Sequence, residues 1–217
     1  MNISQTVLIP EDFDCEALSK ASLVSHFRLY AGYVEKYQEL TRKLQAHRRL
    51  GPAAASFDAE SLKTDITFAL GAIKNHALFF ENLKRRGEAA DEPAGDLAAA
   101  LVKSFHSVPQ YLIDLKQTAQ RGRGWAWTAY DLDNDFLFNY EASGQNGIPV
   151  WNSIPILAID LFGHAYFYDY GNNRLAYIEA IMQSLDWRRI AARLADAIAI
   201  RNIRASLAVD STVETHP

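Results

Sequence analysis

The sequence predicts an α+β fold: a long amino-terminal antiparallel α-hairpin followed by a carboxy-terminal α/β domain with a small three-stranded antiparallel sheet. Three observations carry this. Apolar residues recur at helical spacing from Leu18 to Leu50 (Leu18, Leu23, Phe27, Tyr30, Val34, Tyr37, Leu40, Leu44), and again from about Ser56 onward through Leu62, Ile66, Leu70, Ile73, Phe80 and Leu83. Gly51-Pro52 separates the two runs, so they read as helices joined by a short turn and packed antiparallel. Near Gly124 the period then changes from 3.6 to 2.

Asp14 or Ser19 is placed to cap the first helix, and Gly87 to break the second. Residues 88 to 95 lack periodicity and carry acidic, proline and glycine signals, which sets an expected boundary between a hairpin domain at 1–88 and an α/β domain at 89–217. Two shorter helices follow, at about 96 to 106 and 109 to 121. Gly124-Trp-Ala-Trp-Thr-Ala-Tyr alternates large and small side chains, Asp131-Leu-Asp-Asn-Asp reads as a hairpin turn, and Phe136-Leu-Phe-Asn-Tyr pairs back. A third strand is expected over Ile154 to Asp160, then helices from Asn173 to about Trp187 and from Arg188 to Arg201.

The chain has 217 residues, 49% apolar and 22% charged, an ordinary globular composition. Its formal charge of −4 offers no basic face for a phosphate backbone, so nucleic acid is not expected as a partner. No stretch reaches the roughly 20 apolar residues that span a bilayer, and no basic leader precedes an apolar run, so a cytoplasmic protein without membrane attachment is expected. The single cysteine, Cys15, cannot form an internal disulfide or a Cys-based metal site. Arg85-Arg86 and Arg188-Arg189 lie near helix ends, where helix dipoles or solvent would engage them. Asp131-Leu-Asp-Asn-Asp begins like a calcium loop, but Phe136 stands where glycine is required and Ala142 where a terminal carboxylate should be.

No glycine-rich phosphate loop or Gly-x-Ser-x-Gly elbow is present, which leaves histidines and carboxylates on apolar faces as the chemical groups. Asp160 ends an apolar strand, where a bare carboxylate is costly, and His164 follows four residues later. His76 lies between Ile73 and Phe79-Phe80, and His26 between Leu23 and Phe27. One shared cation would explain four inward metal-competent groups from three distant segments more economically than four separately satisfied polar groups. Taken singly, each histidine also reads as a core residue, and Asp160 with His164 as a structural hydrogen bond.

The segment from Ile154-Pro-Ile-Leu-Ala-Ile-Asp160-Leu-Phe-Gly-His164-Ala-Tyr-Phe-Tyr through Asn173-Arg174 to Asp186-Trp187 resembles the signature of the iron/manganese superoxide dismutase family. Asn75-His76-Ala-Leu-Phe-Phe is similar to the family's Asn-His-x-x-Phe-Trp, and Gly124-Trp-Ala-Trp to its Gly-Trp-x-Trp. At the first helix Ser19-Lys-Ala-Ser-Leu23-Val-Ser-His26 follows the family's Ser-x-x-Thr-Leu-x-x-His, but His26 precedes Tyr33-Val34 by seven residues where the family has eight. Counting back from Tyr33 would put Ser25 at the ligand position; the upstream frame, with His26, is preferred.

The resemblance implies a redox enzyme that converts superoxide to dioxygen and hydrogen peroxide at one iron or manganese ion per chain. His26, His76, Asp160 and His164 would hold the ion, Tyr33 would take part in catalysis, and Trp125, Trp127, Phe80 and Phe162 would wall the site. It also implies a glutamine that hydrogen-bonds the metal-bound solvent, four residues before the second-helix histidine or on the second strand. Those places hold Ala72 and Phe138 here, with Asn139 one register away, so the glutamine is expected to be missing. The family's gateway histidine is replaced by Leu29 or deleted. Gly163 replaces a glutamate that reaches across to the partner subunit, so the usual homodimer would have an altered interface, and another oligomer or a monomer stays open. These departures leave open a catalytically degenerate scaffold, or a different metal-dependent oxidoreductase.

Overall fold

The computed structural model describes residues 13–49, 57–89, 91–147 and 150–213. Helix α1 (Lys20–Arg49) and helix α2 (Phe57–Glu81) pack against each other. Ser19 caps α1, its hydroxyl accepting from the Ser22 amide at 3.2 Å. The expected stop at Gly51-Pro52 lies outside the described residues. Helix α2 ends at Glu81, before Gly87: Asn82 and Leu83 leave the helix to pair with the other half of the chain, and this tertiary pairing outweighs the helical propensity of the residues that follow.

Helices α3 (Gly95–Phe105) and α4 (Val108–Arg121) lead into strands β1 (Trp125–Asp131), β2 (Phe136–Ala142) and β3 (Ser153–Asp160). Ser107 caps α4, accepting from the Gln110 amide, with Pro109 in the first turn. The sheet is antiparallel in the order β2-β1-β3, so β1 is central and buried up to its last residue, Asp131. The β1–β2 turn is closed by Asp131, whose Oδ1 accepts from the Asp133 and Asn134 amides, the local role that short acidic side chains take in turns.

Three more helices complete the described chain: α5 (Gly163–Tyr170), α6 (Arg174–Gln183) and α7 (Trp187–Val213). The periodic reading assigned no element to 161–172, yet α5 lies there. It is eight residues long, starts at a glycine, has no side-chain cap and is rich in aromatics, so local propensity hardly marks it. The helix expected from Asn173 to Trp187 breaks at residues 184–186. There Asp186 turns to cap α7, its Oδ1 accepting from the Arg189 amide, and α7 runs well past Arg201.

Two devices lock the hairpin to the sheet-bearing half. Arg86, expected to meet a helix dipole or solvent, instead clamps the segment before α1: it donates to Asp14, to Glu16 at 2.6 Å and to the Cys15 carbonyl at 2.6 Å. Asn82, fully buried at the end of α2, covers the outer edge of β3. Its Oδ1 accepts from the Ala158 amide at 2.9 Å and its Nδ2 donates to the Ile156 carbonyl at 3.3 Å, while its own carbonyl accepts from the Asp186 amide at 2.7 Å. The exposed edge of a strand is thereby satisfied by one side chain from the hairpin.

Replacing Asn82 by alanine strands one buried donor and one buried acceptor on β3. We expect Asn82→Ala to lower unfolding free energy by about 2–4 kcal/mol, read from the urea midpoint at unchanged slope. An unshifted midpoint would contradict this role of Asn82.

Candidate metal centre

Asp160 is the last residue of β3 and is completely buried. Its Oδ1 accepts from the Phe162 amide at 2.9 Å, and Tyr177 donates to its backbone carbonyl at 2.6 Å, so the turn out of the strand is held on both sides. Its other oxygen, Oδ2, faces three imidazoles. His26 Nε2 and His164 Nε2 each lie 3.1 Å away, and His76 Nε2 lies 3.5 Å away. One nitrogen from each histidine and one Asp160 oxygen fall within 4.8 Å of one another. His26 comes from α1, His76 from α2, and His164 from the first turn of α5; only His164 reaches solvent, its side chain 30% exposed.

The arrangement settles which residue of the first helix faces inward. His26 is buried and Ser25 is exposed. Because α1 is one continuous helix, His26, Tyr30 and Tyr33 follow at i, i+4 and i+7 on a single face. Tyr33 lies with its ring 5.5 Å from that of His76, and the Gln145 side chain offsets a little of the rise that burial gives its hydroxyl. Tyr30, which sequence reasoning passed over in favour of Leu29, is buried with its ring stacked 5.9 Å from His76. Phe79 and Phe80 pack on His26 at 5.5 and 4.9 Å, Trp125 meets His76 at 5.1 Å, and Phe162 stacks on His164 at 5.4 Å. Trp127 is one ring further out, behind Trp125 at 6.2 Å.

Asn139 does not join this group. Its partner in register is Thr128, on the sheet face that packs against α4, where it donates to Asp114 at 2.8 Å and accepts from Thr128 at 2.6 Å. Phe138 shares the other face but packs between Phe136 and Tyr140, with ring centroids 5.7 and 5.5 Å away. The site-side positions of β2 therefore run out at Ala142, opposite Trp125, and what reaches the site next is Gln145. Gln145 is 2% exposed and its Oε1 accepts from Trp125 Nε1 at 3.0 Å. The Asn75 side chain holds its backbone carbonyl at 2.9 Å, and Gly71 on α2 is required there, because any Cβ would collide with that carbonyl. The expectation that no glutamine stands at the site is thus corrected: it comes from the loop after β2, three residues beyond the strand, where strand periodicity could not point to it.

The electrostatics favour a cation among these four groups. His76 Nδ1 donates to the Ala72 carbonyl at 2.7 Å, which leaves Nε2 as a bare lone pair aimed at a carboxylate oxygen, with no hydrogen-bond partner. Two acceptors facing each other in a buried place repel unless a positive charge lies between them. A set of three imidazoles and one carboxylate suits iron or manganese. Burial pushes His76 down to about 4 and also lowers His26, against the pull of Asp160. Burial would raise Asp160, but hydrogen bonds from His164 and His26 outweigh it and hold the carboxyl well below the usual carboxylate range.

Comparison with known proteins supplies the class. A family model for the C-terminal domain of iron/manganese superoxide dismutases matches residues 93–193. The manganese superoxide dismutase 1 of Halobacterium salinarum is 29% identical over 90% of this chain and 98% of its own length. The manganese enzyme of Mycolicibacterium fortuitum is 30% identical over 88% of this chain and 93% of its own, and manganese superoxide dismutase 2 of Haloferax volcanii 31% over 80% and 84%. The chain is a redox-metalloprotein relative in both its halves. It belongs to the iron/manganese superoxide dismutase family.

The histidines also set a pH dependence. Between pH 6.5 and about 4 the unfolded His76 takes up a proton that the native one refuses, so stability falls as pH falls through this window; Asp160, depressed in the native state, extends the loss to lower pH. For the metal-free protein we expect the unfolding free energy to drop by about 1 kcal/mol per pH unit for each buried histidine. His76→Gln should flatten the profile; an equally steep profile in that variant would contradict the assignment.

Proposed function

We propose that the chain is a superoxide dismutase working at one iron or manganese ion held by His26, His76, Asp160 and His164. The observation that carries this reading is the convergence of those four donor atoms, from α1, α2, β3 and α5, within 4.8 Å. The names of the relatives, each a manganese superoxide dismutase, support it. The chemistry a bound ion supplies is one-electron exchange: one superoxide is oxidised to dioxygen, and a second is reduced, with two protons, to hydrogen peroxide.

The chain's own residues prepare the place for this. Asp160 contributes one negative charge and the three imidazoles none, a set that tolerates both divalent and trivalent ions. Trp125, Phe79, Phe80 and Phe162 enclose the histidine rings and keep bulk water off them, which fixes their orientation. Burial raises Tyr33, so its hydroxyl keeps its proton at neutral pH and serves as a donor at the half-buried edge of the site. Gln145 is anchored through Oε1 on Trp125, whose ring meets that of His76. Because Gln145 is present, one of the two absences that favoured a degenerate scaffold, that of the glutamine, falls away. The start of α5 serves a homodimer in this reading, and Gly163 offers the partner no carboxylate; the space around its Cα is open.

Purified protein should contain close to one iron or manganese per chain and consume superoxide rapidly. His164→Ala should lose the ion and the thermal stabilisation that comes with it, since a ligand bound only by the native state adds folding free energy; unchanged metal content and melting temperature would overturn the ligand assignment. Gln145→Leu should retain the ion while turnover falls about 10- to 100-fold. Full turnover in that variant would remove Gln145 from the mechanism.

A further inference from the structure

Helix α7 changes its inward face along its length. Over the first half Ile190, Leu194 and Ala197 are buried, and the same spacing continues through Arg201 and Arg204. Those two arginines present polar groups to the body instead: Arg201 lies 4.0 Å from Asp135 Oδ2, and Arg204 donates to Asn152 Oδ1 at 3.3 Å. The apolar residues of this half stand one position behind, about 100° round the helix. Ile200, Ile203 and Leu207 follow there at i, i+3 and i+7, and they are 44%, 60% and 63% exposed. A helix end that only reached into solvent would gain nothing from apolar residues on its outer side and arginines on its inner one.

The turn before β3 extends this surface. Asn152 accepts from Arg204 on one side and donates to Asp133 on the other, which holds the 150–152 turn beside α7. Trp151 in that turn is 86% exposed, and Val150 is exposed next to it. These five apolar side chains leave on the order of 500 Å² uncovered, the upper range for a monomer. An exposed tryptophan beside an arginine is also the composition found at the centre of protein interfaces.

Two features specify what covers it. The surface carries a projecting ring and a linear stripe together, so a two-fold axis uses each of them twice, Trp151 of one copy against α7 of the other. Doubled in this way, with its polar rim added, the contact approaches the roughly 1,200 Å² at which specific interfaces begin. Charge specifies the direction. Asp196 and Arg204 flank Ile200 one turn to either side, both are exposed, and neither has an ion-pair partner among the described residues. Antiparallel helices crossing at Ile200 bring Asp196 of each copy level with Arg204 of the other, whereas a parallel pair would bring like charges level.

We propose that a second copy of this chain covers this surface, the two α7 helices packed antiparallel about Ile200 and Trp151 of each copy lying on the α7 stripe of the other. Arg204 adjoins the start of β3 and Asp160 ends that strand, so the interface lies at the opposite end of β3 from the metal centre and from α5. It is therefore separate from any association through α5, and it does not rest on the dismutase reading.

The test is sedimentation equilibrium of the metal-loaded full chain. An even number of chains is expected, and the double variant Ile200→Glu/Ile203→Glu should halve the mass while circular dichroism and metal content stay unchanged, because both positions are exposed. Asp196→Arg and Arg204→Asp should each weaken the association about tenfold or more, and the two together should restore it. A mass that the paired glutamates leave unchanged overturns the interface. So does a wild-type chain that stays monomeric, whether inert or bound to vesicles of anionic lipid, the latter giving the surface to a membrane. Failure of the charge exchange to restore association overturns the antiparallel arrangement.

Discussion

A single carboxylate oxygen, Asp160 Oδ2, stands at the meeting point of the molecule. A buried carboxylate is among the most costly groups a protein can carry, and here three imidazoles gather around it from both halves of the chain. The hairpin sends His26 and His76 and the sheet-bearing half sends His164, so any motion of one half against the other opens the cluster. Much of the architecture serves to prevent that motion. Asn82 seals β3 to the end of α2, Arg86 ties the segment before α1 to the exit of the hairpin, and Ser19 accepts in the α1 cap while its amide donates to Asp169 of α5 at 2.8 Å.

The same cluster explains why the site suits redox chemistry rather than structural metal binding alone. His76 is fixed in one tautomer by the Ala72 carbonyl, and aromatic rings pack on every imidazole, so the donors are held in place before an ion arrives. Tyr33 adds a proton-bearing group at the half-buried edge of the site, and Gln145 another behind Trp125. Gln145 stands on a loop whose backbone approaches α2 so closely that only glycine fits at position 71.

Much of the fold was legible because its elements follow simple periods. The two long helices show 3.6-residue spacing, the sheet shows alternation, and the hairpin turn carries its acidic signature. The parts that escaped share a physical cause: α5 is too short and too aromatic to declare itself locally, the break at 184–186 depends on pairing with Leu83, and the far end of α7 continues past the last clear apolar repeat. Asn139 and Gln145 illustrate the same point within the site. One register step on β2 decides which face a side chain occupies, and Asn139 falls on the α4 side. Gln145 lies beyond the strand, where no period applies.

From residue order alone came the α+β class, the four metal-competent groups and the family they resemble, because burial patterns and ligand spacing are local properties of helices and strands. Only the tertiary structure decided that His26 rather than Ser25 faces inward, that Tyr30 joins Tyr33 beside His76, and that a glutamine reaches the site from a loop. Those outcomes depend on helix rotation, strand register and the path of a turn, which are set by packing between segments distant in the chain.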